Sequence, residues 1–518
     1  MFPKTSGYLP FLLFQATAIL AEPRTPYPST NQTQGIQWSP CGFEIETLPM
    51  LCGSLSVPLD YLASNSTEML ELKLAKAVAT KSPSRGSILF NFGGPGSGGR
   101  AELSSVAAQM NAYTGGYHDL IAFDPRGTVD TIPFSCFGDD TEKLLWQLTN
   151  RLIAGNASDT ALGDLWAISK SYADTCQNNT NATGIGGVIG TAYTARDLIS
   201  VVDALGEDGL LRFWGFSYGS PLGATVAAMF PERVDRVIID GVLNIHQYWH
   251  YHDTEMWEGT DRTFSAFLEA CVEAGDKCAL NRPNATASSL EDGFYAWLED
   301  VKYHPISLPD YSIDYSALRG SVVGALYNPR VYSDLAELID GMMTGNVTDP
   351  GWQTMVLGLT STEARIGILC GDKATRSSRM EETLPAIDEQ MRLSRLGGDV
   401  FSSTVMQCAR WQMDAKERYL GDFNVQTRTP ILTIGNTYDP VTPFASALNA
   451  SKSFPGAVAL EHHGFGHASI AQASICTVKA VQAYFLNGTL PEPGTVCEVD
   501  QPLFSNVTWK DVIPTDLV

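Results

Sequence analysis

The chain has 518 residues, 44% of them hydrophobic and 18% charged. That composition excludes disorder or a fibrous repeat as its main theme, and that length calls for a large domain with an insertion or for two domains. The formal net charge of -23 speaks against nucleic acid or an anionic lipid surface as partner, because those are bound by Lys and Arg neutralising phosphate.

Residues 1–21 carry one cation, Lys4, then an apolar stretch over 9–20, then Ala21 before Glu22 and Pro23. This reads as a secretory signal peptide, its apolar core too short for the ~20 residues of a membrane span. Residues 22–40, rich in Pro, Thr, Gln and Ser, read as a flexible N-terminal arm. With no later segment apolar enough to cross a bilayer, the mature chain is expected to be secreted, extracellular and without a membrane partner. The ten cysteines form no CxxC pair, and an even count suits an oxidising compartment. Pairing neighbours along the chain gives 41–52, 136–176, 271–278, 370–408 and 476–497. Glycosylation sequons at Asn31, Asn65, Asn156, Asn178, Asn181, Asn284, Asn346, Asn449, Asn487 and Asn506 agree with a secreted glycoprotein.

Strands are expected at 70–77, 87–92, 119–124, 211–215, 236–240, 431–435 and 457–462. Helical spacing at 193–205 and 220–230 lies between them, which is the rhythm of an α/β, doubly wound, mostly parallel sheet. Between 246 and 420 that rhythm breaks. Helical patterns at 263–274, 289–298, 316–326 and 332–343, without parallel strands, read as a helical cap inserted into a core made of 41–245 and 421–518.

Gly215-Phe216-Ser217-Tyr218-Gly219 fits G-x-S-x-G between an expected strand and an expected helix, the setting of a nucleophile elbow, whose tightness admits only small residues two positions either side of the serine. A serine needs a base to take its proton and an acid to orient the base, in the chain order Ser, Asp, His. Asp439, in Tyr438-Asp439-Pro440-Val441-Thr442-Pro443, follows the strand 431–435, and His467, in Gly464-Phe465-Gly466-His467, follows the strand 457–462, with a helix expected over 469–485. The competitors are Asp240 for the acid, at the end of its own strand, and His462 and His463 for the base. An oxyanion needs two donors, each worth about 3–4 kcal/mol. The N–H of Tyr218 supplies one, and the glycine-rich loop Phe92-Gly93-Gly94-Pro95-Gly96 the other, through Gly94 or, next, Gly93. No Gly-Lys-Ser/Thr follows that loop, so a nucleotide site is not expected.

The Gly93-Gly94-Pro95-Gly96 loop, Asp124-Pro125-Arg126-Gly127-Thr128, the elbow Gly-Phe-Ser-Tyr-Gly, the tail Asn436-x-x-Asp439-Pro440-Val441-Thr442-Pro443 and Gly466-His467 together resemble the tripeptidyl aminopeptidase-like (TAP-like) α/β hydrolases of the proline iminopeptidase clan. The resemblance runs from about Cys52 to Cys497. It implies an α/β-hydrolase fold, Ser217, Asp439 and His467 as the triad, and the glycine loop as part of the oxyanion hole. Two departures set this chain apart: Phe92 stands where proline iminopeptidases carry His, and Val129 and Asp130 stand where relatives often have Gly and Ser. Asp124 and Arg126 are expected to brace the oxyanion loop as a structural pair.

The function this implies is a secreted serine hydrolase working through an acyl-enzyme on a peptide or a small-molecule acyl substrate, releasing short, tripeptide-sized pieces from N-termini. An esterase or lactonase is the alternative, and a non-catalytic hydrolase-fold binding protein a more distant one. An aminopeptidase must hold a free ammonium, and in the early cap Glu255 and Glu258, beside Trp257, are the candidates for that role. No metal or organic cofactor is implied, and nothing in the sequence fixes an oligomeric state.

Overall fold

The protein is described by a computed structural model covering residues 35–250, 252–308, 312–346 and 363–517. The expected signal peptide, the arm as far as residue 34 and the sequon at Asn31 lie outside the described residues. Every residue of Ser87–Asn91 and of Leu211–Phe216 is buried, as parallel strands covered by helices on both faces require. Met69–Ala77 alternates between buried and more exposed positions, in the way of an antiparallel strand with one wet face.

In chain order the strands are β1 (Ser39–Pro40), β2 (Met50–Pro58), β3 (Met69–Ala77), β4 (Ser87–Asn91), β5 (Asp119–Phe123), β6 (Leu211–Phe216), β7 (Val234–Asp240), β8 (Ile306–Ser307), β9 (Ser312–Ile313), β10 (Leu432–Tyr438), β11 (Val458–Phe465) and β12 (Val496–Glu498). Ten of them form one sheet, ordered β1-β2-β3-β5-β4-β6-β7-β10-β11-β12. It is antiparallel from β1 to the β3–β5 pair and parallel beyond it. All seven expected strands are present. β2 escaped the sequence reading because Gly53, Ser54, Ser56 and Pro58 break its apolar alternation, and it is β3 that fixes it, residue by residue, from Met50 opposite Ala77 to Pro58 opposite Met69. The helix expected from 469 begins at Ile475 instead. Asp240 captures both the N–H and the hydroxyl of Ser469, and the Ser474 side chain caps the helix that follows by accepting from the N–H of Thr477.

Between β7 and β10 lie helices at Thr260–Ala274, Ala287–Tyr303, Tyr315–Ala325 and Tyr332–Thr344, together with the small β8–β9 pair. They share an apolar core of their own around Phe264, Phe267, Phe294, Leu318, Tyr332 and Leu335. The later helices Glu363–Asp372 and Ser402–Arg410 pack differently. Ile366, Leu369, Cys370, Cys408 and Trp411 join the cluster that covers the sheet, with Phe134, Phe137 and Tyr172. Tyr172 belongs to the helix Ala161–Asn178, between β5 and β6, so the helical layer draws on two excursions from the sheet.

All five expected disulfides are formed: Cys41–Cys52, Cys136–Cys176, Cys271–Cys278, Cys370–Cys408 and Cys476–Cys497. The second and fourth close 40 and 38 residues, and each restricts the unfolded chain by about 4 kcal/mol.

Asp124 and Arg126 do not pair with each other. Asp124 accepts from Arg100 Nε at 2.7 Å and from the Arg100 N–H at 3.2 Å, at the start of the helix that follows the glycine loop, so it does brace that loop. Arg126 is fully buried and clamps Asp197 with two 2.7 Å bonds, while its remaining N–H groups reach the carbonyls of Pro58, Leu59 and Val188. Removing one partner of such a pair strands a buried charge. Asp197→Asn is expected to cost about 3–5 kcal/mol in denaturant-induced unfolding; a loss below about 1 kcal/mol would show the pair to be dispensable.

Candidate active site

β6 ends in a turn so tight that Ser217 sits at φ 55°, a left-handed conformation that non-glycine residues adopt rarely and mainly at functional sites. Its flanking glycines are sterically required: a Cβ on Gly215 would lie 2.1 Å from the Gly219 carbonyl oxygen, and one on Gly219 would lie 2.5 Å from that of Asn91. Ser220 braces the turn, its N–H and hydroxyl both donating to the Ser217 carbonyl. The helix Gly219–Met229 starts here, so the positive end of its dipole faces the site.

The glycine loop closes over this turn. A Cβ on Gly93, at φ 102°, would come within 2.7 Å of the Ser217 Cβ. The Gly93 N–H is already spent on Asn91 Oδ1 at 3.0 Å. Among the described residues, the N–H groups of Gly94 and Tyr218 have no acceptor, which favours Gly94 over Gly93 as the loop's free donor. Phe92 turns into packing, stacked between Phe90 and Phe216. Val129 lies against Gly98 of the same loop at φ 39°, a conformation that glycine takes without strain.

Asp439 and His467 follow the adjacent parallel strands β10 and β11, at the carboxyl edge of the sheet. His467 Nδ1 lies 3.0 and 3.2 Å from the Asp439 carboxylate oxygens. The carboxylate also accepts from the N–H groups of Val441, Thr442 and Ala468 and, at 2.7 Å, from the Thr442 hydroxyl. Burial alone would raise the Asp439 pKa, but the charge and hydrogen bond of His467, with those of Thr442 and Val441, outweigh it and hold the carboxyl below its ordinary range. Thr442 Oγ1 is also 3.0 Å from His467 Nδ1. Its single proton goes to Asp439, so Nδ1 carries a proton and donates, leaving Nε2 as the basic atom. Nε2 is buried and has no hydrogen-bond partner among the described residues, Ser217 included. Such a bond often closes only with substrate bound.

Two further groups hold the histidine loop in place, Asn436 against β10 and Asp240 against the turn at Ser217. Asn436, fully buried at the end of β10, donates to the carbonyls of both Gly466 and Ala468 at 2.9 Å. Asp240 accepts from Ser469 through its carboxylate and from the Ser217 N–H through its backbone carbonyl. It makes no contact with His467, so the rival acid serves as a tie between the two loops. His462 is buried against Thr477, where burial lowers its pKa to about 4, and His463 faces Thr437; neither ring reaches the site. Tyr327, between two of the inserted helices, packs edge-on against the His467 ring with centroids 4.8 Å apart and accepts the His467 N–H at its carbonyl. Asn436 and Thr442 stood in the tail motif without an assigned role, and nothing in the sequence marked Tyr327.

Glu255 is not free to bind a ligand: Asn244, Ser446 and Asn449 all donate to its carboxylate. Glu258 is exposed, and burial together with Glu255 raises its pKa. No contact joins either to Ser217, Asp439 or His467 among the described residues. A Cβ on the neighbouring Gly259 would nonetheless lie 2.2 Å from the Asp439 carbonyl oxygen, so this segment runs along the Asp439 loop. No helix among the described residues is long and apolar enough to cross a membrane.

Residues 394–497 match the family model described as TAP-like protein, and residues 86–299 match the one described as alpha/beta hydrolase fold. The chain is 26% identical to the serine protease Hip1 of Mycobacterium tuberculosis, over 93% of each chain. It is 23% identical to the tripeptidyl aminopeptidase of Streptomyces lividans, over 89% of this chain and 86% of that one. It is 24% identical to carboxylesterase B of Mycobacterium tuberculosis, over 96% and 98%.

The tie at Asp240 has a pH signature. Burial raises its pKa from 3.8 to about 6 against the pull of its hydrogen bonds, so the native state binds this proton more tightly than the unfolded chain. The contribution is full below the unfolded value and is lost as pH rises through about 6. Relative to Asp240→Asn, the wild type should lose about 3 kcal/mol of stability between acid pH and neutrality; parallel stability curves would show that Asp240 is not buried in ionisable form.

Proposed function

This chain belongs to the α/β hydrolases that carry a TAP-like region, and from the geometry around Ser217 we propose a secreted serine hydrolase that works through an acyl-enzyme and releases tripeptide-sized pieces from free N-termini. The observation that carries the mechanism is the His467 ring, its Nδ1 proton held by Asp439 and its Nε2 buried and without a partner among the described residues. Nε2 takes the Ser217 hydroxyl proton as Oγ attacks the substrate carbonyl. The resulting oxyanion accepts from the N–H groups of Gly94 and Tyr218. His467 returns the proton to the leaving amine as the carbon–nitrogen bond breaks, and the same ring then deprotonates the water that frees the acid and restores Ser217. Asp439 stays ionised throughout and steadies the imidazolium.

The peptidase reading draws on the relatives named as a serine protease and a tripeptidyl aminopeptidase. Within it, the free ammonium pairs with Glu258, since the carboxylate of Glu255 is taken. Ester hydrolysis is the second reading, favoured by the carboxylesterase relative that aligns over nearly the whole chain. Secretion is supported by the leader-like residues 1–21 and by five disulfides with no free cysteine among the described residues.

Ser217→Ala is expected to abolish both turnover and labelling by a fluorophosphonate, and labelling that persists at another serine would refute the mechanism. Against a tripeptidyl anilide, Glu258→Gln should raise KM about tenfold, and N-acetylation of the substrate should have a similar effect; indifference to both would leave the ester reading standing. Among the sequons, Asn449 should carry no glycan, because its side-chain amide is bonded to Glu255. Glycopeptide mapping of secreted protein checks this, and a glycan found there would contradict the packing described.

A further inference from the structure

Behind the elbow lies a buried polar chain that the proposed reaction does not use. Tyr218, the residue after the nucleophile, points its side chain into the protein, where the hydroxyl lies 2.6 Å from Thr191 Oγ1. Thr191 Oγ1 lies 2.6 Å from Asp372 Oδ2, and the Tyr248 hydroxyl donates to the same oxygen at 2.7 Å. The Thr191 N–H donates to Asp372 Oδ1 at 3.0 Å. Thr191, Tyr218, Tyr248 and Asp372 are all buried, with exposures of 0–1%. They come from four separate places: the first turn of the helix Thr191–Leu205, the elbow, the helix Ile245–His250, and the end of the inserted helix Glu363–Asp372. The last is pinned two residues earlier by the Cys370–Cys408 disulfide.

The proton directions follow from donor counting. An ionised carboxylate only accepts, so Thr191 and Tyr248 both point their hydroxyl protons at Asp372. Thr191 Oγ1 is then free to accept, and Tyr218 donates to it. Every proton in the chain points toward Asp372, an arrangement in which each bond strengthens the next. A protonated Asp372 must itself donate, and one hydroxyl must turn round to receive it. If Thr191 turns, its proton meets that of Tyr218, whose hydroxyl must then swing from Thr191 toward its other neighbour, the Tyr248 hydroxyl.

We propose that Asp372 is a positioning residue for the oxyanion-binding N–H of Tyr218, acting through Thr191 and switched by its own protonation. The ionised form anchors the Tyr218 side chain and so fixes the backbone of the elbow, and the protonated form releases it. The inserted helix Glu363–Asp372 thereby sets the geometry of a donor at the elbow. Burial raises the Asp372 pKa to about 6, against the hydrogen bonds of Thr191 and Tyr248 and the charge of Lys373. The groups facing it are Thr191, Tyr218 and Tyr248 from the three neighbouring elements, and Lys373 from its own segment. The Lys373 ammonium is paired with Asp253 at 2.7 Å. Arg376, further along that segment, is paired with Asp414.

This inference rests on the acyl-enzyme reading. The test measures kcat and KM of the full-length protein on a p-nitrophenyl ester, expressed per fluorophosphonate-titrated Ser217 so that unfolded protein is not counted. Tyr218→Phe, which removes one hydroxyl, should lower kcat about tenfold with KM within about twofold, a displaced rather than a missing oxyanion donor. Asp372→Asn should do the same at alkaline pH. It should also remove from the acid limb of the kcat profile the protonation that belongs to Asp372. Wild-type kcat in Tyr218→Phe overturns the proposal, even if Asp372→Asn does not fold. So does an Asp372→Asn profile whose limb superimposes on the wild type's, since a merely structural residue lowers activity without moving it. A wild type that turns over the ester without labelling at Ser217 overturns the acyl-enzyme reading itself, and this proposal with it.

Discussion

One buried carboxylate decides where a proton sits, and the chemistry proposed at Ser217 depends on that decision. Asp439 is surrounded by donors, three from the backbone, one from Thr442 and one from His467, and can do nothing but accept. The imidazole therefore has no choice of tautomer. Its second nitrogen is left as a lone pair in a place where burial makes an unsatisfied acceptor costly. A site built this way is destabilised until something donates to Nε2, and a serine hydroxyl attacking a carbonyl is such a donor.

Bringing three distant segments together is the work of the sheet. β6, β10 and β11 run parallel and end at one edge, and β7, which separates β6 from β10, ends there as well. Asp240, at the tip of β7, holds the Ser217 backbone with its carbonyl and the histidine loop with its carboxylate. The residue that competes with Asp439 for the acid's role in sequence is thus the spacer that ties the Ser217 turn to the histidine loop. The helical layer adds a second constraint from above. Tyr327 packs edge-on against the imidazole and receives the His467 N–H, while burial and the Asp439 charge push its phenol pKa upward. Movement of the inserted helices would therefore reach the base directly.

The parallel strands were legible because their burial on both faces leaves uninterrupted apolar runs such as those of β4 and β6. The elbow was legible because its glycines are demanded by contacts at 2.1 and 2.5 Å, a steric need that any such turn shares. β2 was not, since its identity lies in its register with β3 rather than in its own pattern. Glu255 illustrates the other limit. An acidic residue beside a tryptophan looks the same in sequence whether it awaits a ligand or is already held by Asn244, Ser446 and Asn449. Asn436, Thr442 and the chain from Tyr218 to Asp372 act by orienting other residues, and such roles appear only when donors and acceptors are counted in space.

The most direct measurement is to mix the protein with p-nitrophenyl acetate, quench in acid during the burst, and locate the acetyl group by peptide mass spectrometry. An acetyl group on the peptide containing Ser217, absent when His467 is replaced by alanine, is the predicted result. Steady hydrolysis with no acylated Ser217 peptide, or with the acetyl group on another residue, would contradict it.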